Sequence, residues 1–165
     1  MKDRLRELQE TLSTNIPIMK HLGITIENYD EERLILKAPF EENTNQKEYA
    51  FAGSLNALVT LAGWGLLWLL LQEGEMTAKM VIQESLISYL LPVTSDFSAC
   101  CYKPDPVQMA RFEKLLRKKG KARLALRAEI YQGEEVAVSF KGDYVAFLLQ
   151  STPRDRRGEG ENEHR

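Results

Sequence analysis

Residues 55–71 run for 17 positions with only Asn56 and Thr60 as polar side chains. A helix apolar on nearly every side must be covered on nearly every side, by protein or by lipid. A bilayer core asks for about 20 such residues with basic or aromatic anchors at the flanks, and this stretch has neither. It is therefore expected to be the central helix of a water-facing domain, with no membrane partner. At 165 residues, 44% of them hydrophobic, the chain can bury such a helix without metals or disulfides.

The flanking patterns say what covers it. Leu5, Leu8 and Leu12 stand at i, i+3 and i+7 and predict an amphipathic helix over 2–12. A short helical piece over 16–21 stops at Gly23. Residues 24–29 and 33–38 read as strands joined by Asp30-Glu31-Glu32. Beyond the central helix, which stops near Glu73-Gly74, residues 79–91 and 97–102 read as strands. Asp105-Pro106 starts a helix that carries Met109, Phe112 and Leu116 on one face as far as Gly120. Leu124, Leu126, Ala128 and Ile130 alternate along a further strand. The turn Gln132-Gly133-Glu134 follows, then a last strand or pair of strands over 136–149, with a bulge expected at Gly142.

This order predicts an α+β arrangement, an antiparallel sheet wrapped round one long central helix. Such a sheet covers one side of the helix, so a homodimer or a dimer of dimers is expected to cover the rest. Residues 1–150 are expected to form a single domain with an N-terminal helical segment. Residues 151–165 hold four basic and four acidic side chains and no large apolar one, and are expected to be a disordered tail.

The net charge of −2 argues against a nucleic-acid partner. Cys100 and Cys101 are neighbours, so on a strand they face opposite ways and cannot share a metal. Free thiols and a charged start, MKDRLRELQE, fit a cytoplasmic protein. Neither a metal nor a cofactor is expected.

The loop into the central helix carries a resemblance. Asn43, Asn45, Lys47, Phe51, Gly53 and Ser54 stand in register with N-x-N-D-K-G-T-x-F-x-G-S, and Leu61-Ala62-Gly63-Trp64 matches the L-A-G-W that follows it. The strand ending Ser88-Tyr89-Leu90-Leu91-Pro92 adds to the likeness. With the element order, these residues resemble the hotdog-fold acyl-thioester enzymes, in particular the group similar to the C-terminal domain of the YiiD proteins. The likeness spans residues 16–149. Gln46, Glu48 and Tyr49 depart from it, standing where that group tends to have Asp, Gly and Thr.

A second hotdog pattern, N-x-x-G-x-x-H-G-G-x-x-x-x-L-x-D, places a catalytic carboxylate on the central helix. Laid over this chain, the Asp falls on Thr60, the His on Phe51 and the first Gly of the pair on Ala52. The YiiD-like group looks like the malonyl-acyl-carrier-protein decarboxylases, which start fatty-acid synthesis. That resemblance makes Asn45 catalytic, holding the thioester carbonyl and then the enolate oxygen, with Thr60 assisting. It also implies a dimer-interface site, with the Asn45 loop facing the other chain's central helix.

The acyl-thioester substrate that the resemblance implies can be set against the chemistry these residues can supply. Hydrolysis of a thioester needs a base to activate water. Asn56 and Thr60, an i, i+4 pair, are neutral and serve instead as hydrogen-bond donors to an oxyanion. Decarboxylation of a malonyl thioester needs an oxyanion hole and no base. A fixed carboxylate about 4 Å from the malonyl carboxylate would oppose it by on the order of 4 kcal/mol at an effective dielectric of 20.

Asn43, Phe51, Gly53, Ser54, Asn56 and Ser85 are the candidate substrate-binding residues. Plainer roles stand beside these: Thr60 bonding its own i−4 carbonyl, Asn43 and Asn45 as turn residues, Ser54 as helix N-cap. Glu48 or Glu84 could supply a base and make the protein a thioesterase. A protein that only binds an acyl thioester is the third reading. Seven cations at 111–123 oppose only Glu113; of them Arg117, Lys118, Lys119, Lys121 and Arg123 are the candidate dock for an acyl carrier protein or coenzyme A.

Overall fold

The computed structural model describes residues 2–46 and 48–149, so the expected tail over 151–165 lies outside the described residues. Helices Lys2–Asn15 (α1) and Ile18–His21 (α2) precede strands Thr25–Tyr29 (β1) and Arg33–Ala38 (β2). One 3-10 turn, Glu41–Asn43, leads to a small hairpin of Thr44–Asn45 (β3) and Tyr49–Ala50 (β4). The chain then enters the central helix Ala52–Glu73 (α3). Strands Ala78–Tyr89 (β5) and Phe97–Tyr102 (β6), helix Pro106–Lys119 (α4), and strands Lys121–Gln132 (β7) and Glu135–Leu148 (β8) complete it.

The large sheet has the order β1-β2-β6-β7-β8-β5, with every neighbouring pair antiparallel. Alternation builds its inner face: Leu34, Leu36 and Ala38 of β2, Ala99 and Cys101 of β6, and Leu124, Leu126, Ala128 and Ile130 of β7 are all buried. α3 lies in this concave face. Helix α1 adds Leu8 and Leu12 against α3 where Gly65 brings the helices close; a Cβ there would stand 3.1 Å from Leu34 and 3.5 Å from Leu8. By length and composition α3 could cross a bilayer, but 72% of its most apolar window is buried within the protein. It is the core helix.

Local chemistry ends the elements where the residues require it. The carboxylate of Asp105 accepts the Gln108 amide at 2.9 Å, Pro106 opens α4, and Gly120 ends it at φ +70°. Gly133 turns β7 into β8 at φ +63°.

The last strand departs from expectation. β8 is one continuous strand, and Gly142 is regularly paired with Leu126 on one side and Ser85 on the other. The bulges lie instead between Ile82 and Glu84 and between Ile130 and Tyr131. Glycine at 142 makes room: a Cβ would come within 2.9 Å of the rings of Phe140 and Tyr144.

The two sheet edges differ. β1 is followed by β2, but β5 is a 12-residue edge strand exposed on both faces, with Leu86 71% exposed and Val81, Ile82 and Tyr89 also open.

Candidate active site

The hairpin before α3 sets the first candidate in place. The Ala50 amide donates to the Val93 carbonyl at 2.8 Å and the Phe51 amide to the Asn43 carbonyl at 2.7 Å, which ties the loop to the body. Gln46 takes a left-handed φ of +50° where the related signature has Asp followed by Lys-Gly, so the turn closes on a non-glycine residue. Asn45 is exposed beside it, with its carbonyl accepting the Glu48 amide at 3.1 Å.

Asn43 has a different place. It is 2% exposed, and its Nδ2 donates to the carbonyls of Leu22 at 2.8 Å and Pro39 at 2.7 Å. It braces the loop against the segment before β1. Its Oδ1 is buried without a partner among the described residues.

At the start of α3 the N-cap position belongs to Phe51, with φ −65° and ψ 130°, and no side chain caps the helix. Ser54, the expected cap, sits two residues inside the helix and is 6% exposed. Its amide turns back to the Phe51 carbonyl at 2.9 Å, so it is not free to meet a ligand. The Gly53 amide has no partner among the described residues. Gly53 lacks a Cβ where the Phe51 ring lies across the first turn; a Cβ there would overlap that ring.

Asn56 and Thr60 come together as their spacing requires, with the Thr60 hydroxyl donating to the side-chain Oδ1 of Asn56 at 3.4 Å, not to its backbone carbonyl. The Thr60 side chain therefore does not bond its own i−4 carbonyl. Its backbone carbonyl accepts instead from the hydroxyl of Tyr144 at 2.7 Å. Tyr144 is fully buried, and burial pushes its phenol well above the usual range. A Cβ on Gly63 would overlap the Tyr144 ring, so glycine at 63 is what allows that bond. Tyr144 was not among the sequence candidates. Only the register that lays β8 under α3 reveals it.

The remaining candidates are spread out. Ser85 pairs with Gly142 on the exposed edge strand. Among the described residues no hydrogen bond joins Asn45 to Asn56 or Thr60. Of the expected docking cations, Arg117 donates to the Gly74 carbonyl at 2.5 Å. Arg123 donates to Gln83 at 2.6 Å and pairs with Asp143 at 3.9 Å, and Lys121 lies 5.2 Å over the Phe147 ring. Lys118 and Lys119 remain exposed at the end of α4.

A cleft of about 640 Å³ opens beside the hairpin, lined by Phe40, Glu41, Thr44, Ser95 and Asp96. It holds two carboxylates, Asp96 being engaged by the Phe40 amide at 2.9 Å. None of Asn45, Asn56 and Thr60 lines it.

A sheet curled round one long buried helix, with the polar groups at that helix's start, defines the hotdog fold of acyl-thioester proteins. Residues 5–148 match the family described as "Putative thioesterase (yiiD_Cterm)", and the chain belongs to it. A protein of unknown function from Chlorobaculum tepidum TLS is 36% identical, with a TM-score of 0.82 over 86% of this chain and 93% of its own. A thioesterase from Shewanella oneidensis, so described provisionally, is 28% identical with a TM-score of 0.81 over 89% of this chain and 99% of its own. A Haemophilus influenzae thioesterase shares the fold at 17% identity and a TM-score of 0.68, covering 91% and 94% of the two chains.

Proposed function

We propose that this protein decarboxylates a malonyl thioester, carried by acyl carrier protein or coenzyme A, to the acetyl thioester. One observation carries the reading: the polar groups in the body of α3 are neutral and bonded to each other. The sole carboxylate of that helix, Glu73, stands at its far end, engaged by Tyr29 at 2.6 Å and Lys103 at 3.8 Å. In the reaction the bond between Cα and the malonyl carboxylate breaks and CO2 leaves. Its electron pair forms the thioester enolate, and a proton from solvent at Cα gives the acetyl product. Asn45 donates to the carbonyl oxygen as it gains charge, with the Asn56 Nδ2 as a further donor and Thr60 assisting by holding the Asn56 Oδ1.

Among the described residues no hydrogen bond joins Asn45 to the Asn56–Thr60 pair within one chain, and in this reading a second copy completes the site. The β5 edge supplies the contact: its backbone, unpaired on one side among the described residues, and its exposed Val81, Ile82, Leu86 and Tyr89 suit pairing with itself about a two-fold axis. The Tyr89 hydroxyl donates to the Ala52 carbonyl at 3.3 Å, so this edge reaches the start of α3. Lys118 and Lys119 offer the exposed charge for an acidic carrier protein, and the free thiols suit a cytoplasmic setting.

Hydrolysis is the second reading, favoured by the family's description and by Glu41 and Asp96 beside the hairpin. Incubation with malonyl- and acetyl-carrier protein, followed by intact mass, separates the two. Loss of CO2 from the malonyl form supports decarboxylation. Release of the free carrier thiol from either form overturns it in favour of a thioesterase, and unchanged masses favour a binding protein.

A further inference from the structure

In the Leu61-Ala62-Gly63-Trp64 segment Gly63 admits the Tyr144 ring, while the Trp64 indole is only half-buried. Within residues 54–71 every side chain is buried except Asn56, Ala57, Thr60, Trp64 and Trp68. Four of these five follow at i, i+4, i+8 and i+12, which makes one continuous ridge along the helix. Each step advances about 6 Å at 1.5 Å per residue. The ridge starts as a bonded polar pair and continues as two half-buried indoles.

Its orientation is held from the flank next to it. Tyr144 donates to the Thr60 carbonyl at 2.7 Å through the space that Gly63 leaves, so α3 cannot rotate about its axis without breaking that bond. The sheet strands and α1 pack on the other sides of the helix. A half-exposed tryptophan on an otherwise buried helix leaves apolar surface that a ligand gains by covering.

We infer that Trp64 sets the length of the acyl group this site takes, limiting it to about two to four carbons because the indole stands roughly 6 Å along the axis from Thr60. The inference rests on the functional reading above, which puts the thioester carbonyl at the polar end of the ridge. The acyl group then points along the ridge, and the Trp64 ring closes the path. A malonyl or acetyl group fits before the ring, whereas longer chains must displace it.

Trp64 and Trp68 are the only two tryptophans of the chain, so Trp68→Phe leaves Trp64 as the single indole reporter. The probes are ketone analogues of acetyl, butyryl, hexanoyl and octanoyl thioesters, with methylene replacing sulfur so that hydrolysis is impossible. They are presented on coenzyme A and on an acyl carrier protein. Binding is measured by equilibrium dialysis for the parent, Trp64→Ala and Trp64→Phe, and Trp64 emission is followed in Trp68→Phe.

Acetyl and butyryl analogues should shift the emission, and parent affinity should fall about tenfold or more from butyryl to octanoyl. Trp64→Ala should recover at least tenfold of the octanoyl affinity, with Trp64→Phe between. An unchanged length profile in a folded Trp64→Ala overturns the inference alone. So does an emission silent to an analogue that dialysis shows bound, or one that responds only to protein dilution, which would mark a ridge covered by a second copy. If Trp64→Ala does not fold, the Trp64→Phe profile and the emission decide. Failure of every analogue to bind overturns both this inference and the functional reading.

Discussion

The two ends of α3 are built on opposite plans. At its C-terminal end, Glu73 accepts from Tyr29 at 2.6 Å and pairs with Lys103 at 3.8 Å. The Lys103 ammonium also lies 4.4 Å over the Tyr29 ring, and Arg117 closes on the Gly74 carbonyl. Charge and hydrogen bonds there are matched within the chain, and burial together with Glu73 raises the Tyr29 phenol above its usual range. At the N-terminal end no side chain caps the helix, the Gly53 amide has no partner among the described residues, and the Asn45 side chain is exposed. One end is finished. The other is left with donors to offer, which is what a site for a developing oxyanion requires.

That contrast predicts that changes at the open end cost rate and changes at the closed end cost stability. Asn45→Ala should lower malonyl-thioester decarboxylation by about 100- to 1,000-fold with an unchanged melting curve; an unchanged rate would remove Asn45 from the chemistry. Thr60→Val keeps the shape but removes the hydroxyl, and should lower the same rate by about tenfold.

Tyr29→Phe deletes the bond to a half-exposed Glu73. Urea denaturation should show a loss of about 1 kcal/mol, with decarboxylation retained. A rate loss there larger than the stability loss would break the division of labour.

The smallest effect belongs to the β1–β2 turn, where the Asp30 carboxylate accepts the amides of Glu32 at 2.8 Å and Arg33 at 2.9 Å. Those amides hold its carboxyl below the ordinary range. A folded pKa lowered in this way adds stability above the unfolded value, near 3.9, and loses it as pH falls through the folded one. Asp30→Asn should therefore be slightly less stable than the parent at pH 7, and the two melting curves should converge as pH falls through the lowered folded pKa.

Much of the fold was legible because periodicity is a local signal. The all-round apolarity of residues 55–71, the alternation of residues 124–130 and the Asp105-Pro106 start of α4 each carried their element without help. Gly142 misled for a physical reason. A glycine within a strand signals either a bulge or a close approach, and only the rings of Phe140 and Tyr144 show that it is the second. Ser54 misled similarly, since the chain bends into α3 three residues earlier, where the Phe51 amide meets the Asn43 carbonyl.

For the site, residue types were legible and relations were not. Sequence alone determined that the central helix carries a neutral polar pair, Asn56 and Thr60, and that no side chain of that pair can act as a base. Tertiary structure decided that Asn43 is a buried brace, that Asn45 is exposed, and that Tyr144 anchors Thr60 through the gap at Gly63. Spacing along a helix fixes which side chains share a face. Which face meets the sheet depends on a strand more than 80 positions away, and no local pattern encodes that pairing.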